Sequence, residues 1–214
     1  MEVMERNRLV PPDPHDWDAD RDQIVVLHGI TWEQYVAIND AQPEGKPPRL
    51  SYLDGELELM TLSSRHEIVK KLLARLLEIY AVETNLALNG YGSTTWRNEA
   101  KQVGVEPDEC YVIDNLNEVP DLAIEVVHTS GGINKLELYR RLGVREVWFW
   151  INGLIYAYSL VGKYEEIEQS IVVPGIDLDV IARIIASTSD NAQTAAVRAY
   201  RESLSQRAIG NKSR

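Results

Sequence analysis

Two acidic residues occur where the predicted fold would normally be apolar. Glu125 lies inside the apolar run DLAIEVV, and Asp108 comes earlier in the chain, directly after a proline. A buried carboxylate without a partner costs several kcal/mol, so Glu125 needs a structural or chemical reason to be there. If the two strands pair antiparallel through a turn at 114–117, the carboxylates converge. Hard oxygen donors of this kind suit Mg²⁺ or Mn²⁺, which needs only one or two protein carboxylates.

Lys135 follows in the first turn of the next predicted helix, after a Gly-Gly pair. This loop can fold back over the end of the strand and bring the ammonium group to the two acids. A metal ion there would activate water and neutralise phosphoryl charge, and the lysine would orient the water or stabilise the transition state. The structural alternative is that Glu125 pairs with a nearby Arg or Lys and Asp108 caps a turn.

Glu56 and His66 are further candidates with less certain roles. Glu56 follows the turn of a predicted hairpin, where it either faces solvent or reaches the same cleft as a third metal carboxylate. His66 shares a helix face with Val69 and Leu73. A partly buried structural histidine is therefore favoured over a catalytic one.

The elements that must position these residues have clear local signals. Asp54-Gly55 between alternating apolar residues predicts a hairpin over LSYLDGELELM. A helix is predicted over about 64–83, opened by a capping box from Ser64 to Glu67. The apolar runs DLAIEVV and EVWFWI predict strands that are covered on both faces. A C-terminal hairpin and helices are predicted from the pattern at Leu154–Val173, Ile176–Ile185 and Gln193–Arg207.

Composition limits the classes of protein that fit. The 214 residues carry a formal net charge of −11, which excludes a simple basic nucleic-acid coat. The length favours an N-terminal arm at 1–22, a single α/β (α+β) domain at 23–208 and a frayed tail at 209–214. We expect no membrane span or signal peptide, and the lone Cys110 fits a cytoplasmic location. Nucleotide-binding, zinc-protease and serine-hydrolase motifs are missing, so no organic cofactor is expected.

Five segments in order resemble the Uma2 family, also called the domain of unknown function 820 group. They are DGELELM, SRHEIVKKLLARLL, EPDECYV, PDLAIEVV and KLELYRRLGVREVWFW, within about Thr31 to Gly175. The resemblance implies a restriction-endonuclease-like PD-(D/E)xK fold, a mixed β-sheet flanked by helices. It also implies a metal-dependent phosphodiesterase site.

The resemblance carries over to individual residues. Asp108 and Glu125 match the metal-binding acids of the signature, whereas Val127 stands where the signature normally has lysine. The resemblance implies that the lysine of the signature lies instead on the following helix in this family, and Lys135 matches that position. Glu56 and His66 match recurrent family positions.

These observations give two functional hypotheses. The first is a Mg²⁺- or Mn²⁺-dependent endonuclease that hydrolyses phosphodiester bonds in DNA. The second is a catalytically silent module of the same fold that binds nucleic acid or forms a homodimer, with the edge of the C-terminal hairpin available for pairing. The acidic net charge slightly favours the second, because DNA affinity depends on Lys and Arg contacts with phosphate. Two groups of basic residues either face phosphate or are solvated helix faces: Arg65, Lys70, Lys71 and Arg75, and Lys135, Arg140, Arg141 and Arg145.

Overall fold

The computed structural model describes residues 21–43, 48–115, 118–128 and 132–212. Most of the predicted N-terminal arm and part of the predicted 114–117 turn lie outside these ranges. Among the described residues, no helix combines the length and the apolar character that crossing a membrane requires.

The described residues form eleven strands, five α-helices and two short 3-10 helices. The strands are β1 (Gln23–His28), β2 (Arg49–Leu53), β3 (Glu56–Thr61), β4 (Leu88–Gly90), β5 (Trp96–Asn98), β6 (Val103–Val105), β7 (Glu109–Ile113), β8 (Leu122–Val127), β9 (Glu146–Ile151), β10 (Leu154–Val161) and β11 (Lys163–Ile167). The α-helices are α1 (Trp32–Ala41), α2 (Ser64–Thr84), α3 (Lys135–Leu142), α4 (Leu178–Ser187) and α5 (Gln193–Lys212), and the 3-10 helices are Glu99–Lys101 and Asp190–Ala192.

The strands form two sheets, which we call sheet A and sheet B. Sheet A is antiparallel, with the order β1-β3-β2-β6-β5. It contains the predicted hairpin, whose turn residues Asp54 and Gly55 have φ values of 47° and 89°. Such positive φ values at both central residues are what a tight hairpin turn requires, which explains the Asp-Gly signal.

Sheet B is mixed, with the order β11-β10-β9-β8-β7-β4. Strands β8 and β9 run parallel at its centre, and the other neighbours are antiparallel. The predicted mixed sheet, the central position of DLAIEVV and the C-terminal hairpin and helices are therefore confirmed. Sheet A is separate from it, which the sequence did not predict, because β5 and β6 have only three residues each and give little periodic signal.

Three hydrophobic clusters define the layers. One face of sheet B packs against α2, α4 and α5, through residues such as Ile124, Val126 and Trp148. Its other face packs against α3 and sheet A, through Ala123 and Val147. The outer face of sheet A packs against α1. Helix α3 therefore shares a core with both sheets, and side chains of β8 that alternate with Ile124 and Val126 point towards it.

Several boundaries differ from the sequence predictions. Helix α2 is capped by Ser63 rather than Ser64, and Glu67 pairs with Lys70 instead of completing a capping box. The C-terminal hairpin ends at Ile167 rather than Val173, and α5 continues to Lys212 rather than ending at Arg207. With Ser63 as the cap, Glu67 lies one position later in the helix than predicted. Its side chain pairs instead with Lys70, since residues three or four apart are neighbours on a helix.

Glu146 shows that an acid inside a strand of this fold can be purely structural. It is fully buried at the start of β9, where its carboxylate accepts hydrogen bonds from the backbone of Ile171 and Val172 and from the indole of Trp148. These bonds attach the segment after β11 to the centre of sheet B.

We predict that Glu146→Ala lowers the free energy of unfolding by about 3–5 kcal/mol, because two buried donors and one partly buried donor lose their acceptor. Urea denaturation measures this change. The matched control Glu165→Ala, on exposed β11, should change stability by less than about 0.5 kcal/mol. A similar small change in both variants would contradict the structural role of Glu146.

Candidate functional site

Pairing of β7 with β8 brings Asp108 and Glu125 together. The antiparallel register places Glu109 opposite Ile124, so Asp108, directly before β7, lies across from Glu125. The two residues are 1% and 3% exposed. Asp108 Oδ2 accepts a hydrogen bond of 2.7 Å from the backbone amide of Val126. The side chain of Glu125 alternates with Ile124 and Val126, so it points into the layer that contains α3 and is buried there.

Helix α3 supplies a cation and a hydroxyl to Glu125. Asn134 caps the helix by accepting a hydrogen bond from the amide of Glu137, which fixes Lys135 as the first helical residue. Its Nζ lies 3.6 Å from Glu125 Oε1. One turn later, the hydroxyl of Tyr139 donates a hydrogen bond to the same oxygen. The structure thus brings together the three residues that the sequence singled out, and adds a tyrosine.

His66 joins Asp108 to a second buried acid, Asp22. The ring is fully buried, with Nδ1 2.8 Å from Asp22 Oδ2 and Nε2 2.9 Å from Asp108 Oδ1. The geometry of the second contact is that of an ion pair rather than a hydrogen bond. Asp22 also accepts a hydrogen bond from the amide of Ser63, the cap of α2. Sequence reasoning missed Asp22, because it lies in a segment without periodicity that was assigned to the arm.

On β3, Glu58 rather than Glu56 belongs to this group of residues. The Glu56 side chain is 47% exposed and lies 3.3 Å from His28 Nδ1, away from the other candidates. Glu58 is 3% exposed, and its Oε1 lies 3.3 Å from Lys135 Nζ. The two acids share one face of the hairpin, as the alternation predicted. Glu58 is farther from the turn than Glu56, and α3 covers it. The packing of α3 shows this difference, and the alternation in the sequence does not.

A small cavity of about 50 Å³ adjoins these residues. Asp22, Glu58, Glu125, His128 and Lys135 provide its polar lining. Its apolar walls come from Ile24, Met60, Val126, Val127 and Ile133. The space is large enough for water or a small cation, and most of the charged groups described above surround it.

Burial and the neighbouring charges shift the ionisation of the site. Burial raises the pKa of Glu125 to about 7, and the opposing effect of Lys135 does not cancel it. Burial also disfavours the charged form of Lys135, but the carboxylates of Glu125 and Glu58 outweigh it and raise the pKa of this lysine. For His66, the carboxylates of Asp108 and Asp22 outweigh burial and raise the pKa to about 9. Lysine and histidine are therefore both cationic at neutral pH.

The chemistry of the donors fits a hard divalent cation. Among the described residues, four buried carboxylates lie around two cationic side chains, and these six groups carry a net charge of −2 when all are ionised. Asp108 Oδ1 is buried, and its near partner is His66 Nε2 at 2.9 Å. Within the described ranges, however, no three His, Cys, Asp or Glu side chains are arranged to hold a metal ion. The donor set and charge fit the ion, and the arrangement of the carboxylates must adjust to bind it.

Most of the basic residues on α2, on α3 and directly after α3 are paired with carboxylates. The pairs are Lys70 with Glu67, Lys71 with Glu109, Arg140 with Glu137, Arg141 with Asp54 and Glu137, and Arg145 with Asp121. This pairing favours the structural explanation of these two basic groups over a surface reserved for phosphate.

Comparisons with known proteins give a family match and a structural similarity. The model of the Uma2 family, described as "Putative restriction endonuclease", matches residues 32–180. The chain is also similar to the crystal structure of a putative nuclease belonging to DUF820 from Anabaena variabilis, at 13% identity and a TM-score of 0.47. That similarity covers 78% of this chain and 99% of the other. Among curated proteins there is no match.

We predict that His66 makes stability depend on alkaline pH. Its pKa is about 9 in the folded chain against an ordinary value of 6.5, so its contribution is complete below pH 6.5 and is lost as pH rises through 9. The full loss is about 3 kcal/mol. Urea denaturation in EDTA at about pH 6 and about pH 9 should show this decline in the wild type and a much smaller decline in His66→Asn. Equal declines in the two proteins would contradict the assignment.

Proposed function

The chain belongs to the Uma2 family of putative restriction endonucleases, and on this basis we propose that it is a metal-dependent nuclease that hydrolyses phosphodiester bonds in DNA. The observation that carries the proposal is the convergence of Asp108, Glu125 and Lys135, of which Glu125 and Lys135 line a small cavity together with Asp22 and Glu58. Family membership alone does not fix activity, because one fold can serve many functions.

Each residue has a role that its contacts support. Asp108 and Glu125 would hold Mg²⁺ or Mn²⁺, which when bound lowers the pKa of water and neutralises charge on a phosphoryl group. Lys135 remains protonated and places positive charge beside Glu125, where it orients the attacking water or stabilises the transition state. Tyr139 fixes one oxygen of Glu125, and His66 fixes the position of Asp108.

A second candidate is a catalytically silent module that binds nucleic acid or forms a homodimer. It is favoured by the pairing of the surface basic residues and by the lack, among the described residues, of a ready-made metal cluster. A homodimer would form by pairing at β11, which is one of the two edge strands of sheet B. This strand carries Lys163, Glu165 and Glu166, and charged residues on an edge disfavour such pairing.

We predict that Mn²⁺ stabilises the protein against heat. A ligand at about 100 times its Kd adds about 2.7 kcal/mol, which for a chain of this size raises Tm by about 5–10 °C. Differential scanning fluorimetry should show the increase in the wild type and in Glu56→Gln, but not in Asp108→Asn, each compared with its own value in EDTA. An equal increase in Asp108→Asn would place the metal elsewhere.

We predict that the purified protein nicks supercoiled plasmid or cleaves single-stranded DNA with Mg²⁺ or Mn²⁺ and not in EDTA. Glu125→Gln keeps the shape of the side chain and should lower the rate by more than about 100-fold, since even groups that only support metal ligands contribute 10–100-fold. Gel electrophoresis measures the rate, and thermal denaturation confirms that the variant is folded. If the wild type cleaves neither DNA under any of these conditions, the second candidate is favoured.

A further inference from the structure

The lysine of this site is held mainly by sheet A. Among the described residues, Lys135 Nζ contacts three oxygens: Ser51 Oγ at 2.6 Å, Glu58 Oε1 at 3.3 Å and Glu125 Oε1 at 3.6 Å. The two shorter contacts come from sheet A, and only the longest comes from a residue of the proposed metal site. Because the lysine is on a helix that follows a loop, β8 alone does not determine its position.

Ser51 and Glu58 form a preorganised pair. They are directly opposite each other in the register of β2 and β3. Side chains of such cross-strand partners point to the same face, with Cβ atoms about 4.5–5.5 Å apart. Both residues are almost fully buried, at 1% and 3% exposed. The hairpin therefore presents a hydroxyl and a carboxylate at a fixed separation towards the start of α3.

The second oxygen of Glu58 holds the loop that leads into α3. Oε2 accepts a hydrogen bond of 3.0 Å from the backbone amide of Ile133. The preceding residue, Gly132, has a φ of 96°, and a Cβ there would lie 2.0 Å from Glu58 Oε2. Glycine is therefore required for both the backbone conformation and the approach of the carboxylate. One side chain thus fixes both the loop and the lysine that follows it.

We propose that Glu58 and Ser51 are positioning residues that hold the ammonium group of Lys135 beside Glu125. Glu58 acts through Lys135 and Ile133, since each of its two oxygens contacts one of them. The catalytic consequence rests on the proposed nuclease function. The positioning of the lysine does not, and it can be measured without any substrate.

The first test measures how fast Lys135 is acetylated in the full-length protein. Limiting acetic anhydride is followed by mass spectrometry of the peptide that contains Lys135, and the exposed Lys163 serves as the internal reference. Glu58→Gln removes a carboxylate that stabilises the protonated, unreactive form of Lys135 and fixes the position of its side chain. We therefore expect Lys135 to be acetylated about tenfold faster than in the wild type. The matched control is Glu56→Gln, on the same face of the same hairpin, which should leave the rate unchanged.

Ser51→Ala is a second, milder variant in case Glu58→Gln fails to fold. It removes the 2.6 Å contact without placing a new group in the core, and Lys135 should then react about ten times faster, as expected for the loss of a hydrogen bond to a charged group. An acetylation rate equal to that of the wild type in a folded Glu58→Gln protein would overturn the proposal. If Glu58→Gln does not fold, an unchanged rate in Ser51→Ala would overturn it.

The second test applies if the wild type cleaves DNA. Glu58→Gln should then lower kcat by about 10–100-fold with little change in KM, since the side chain supports a catalytic group and does not contact DNA. An increase in KM with unchanged kcat would overturn the positioning role. If the wild type is inactive, the proposed function fails, while the acetylation rates still decide whether Glu58 and Ser51 position the lysine.

Discussion

The fold is organised around the cost of burying more negative than positive charge. Four carboxylates and two cationic side chains share one largely buried group: Asp22, Glu58, Asp108 and Glu125 with His66 and Lys135. An unpaired buried charge would be strongly destabilising, so each of these groups needs partners. The two cations compensate only part of the charge. Burial is the main cause of the raised pKa of Glu125, and the carboxylates of Asp108 and Glu58 add to it. The net negative charge of the six groups explains why a divalent cation fits the site chemically.

The three layers around this group supply its parts. Sheet B provides Asp108 and Glu125 through the register of β7 and β8, and α2 provides His66 from its first turn. Sheet A provides Glu58 from the middle of β3. Helix α3, which shares a hydrophobic core with both sheets, carries the lysine that contacts acids from each. The separation into two sheets is therefore part of how the site is built, because a single sheet could not surround the start of α3.

Sequence reasoning located the parts of the site that have local signals. Glu125 was recognisable because it interrupts an apolar strand, and Asp108 because it precedes the neighbouring strand after proline. Glu58 and Asp22 could not be identified in this way, because their roles depend on which long-range partners cover them. Glu58 shares its strand face with Glu56, and only the packing of α3 separates their roles. Likewise, the contact between Asp22 and His66 joins residues that are far apart in sequence and carry no shared motif.

The most direct test of the central claim is a crystal structure of the protein soaked with Mn²⁺, with diffraction recorded near the manganese absorption edge. We expect an anomalous peak within about 2.5 Å of oxygens of Asp108 and Glu125, with Lys135 beside it. A fully ordered site without such a peak at saturating Mn²⁺, or a peak only at other residues, would contradict the account. The buried carboxylates would then be structural, like Glu146.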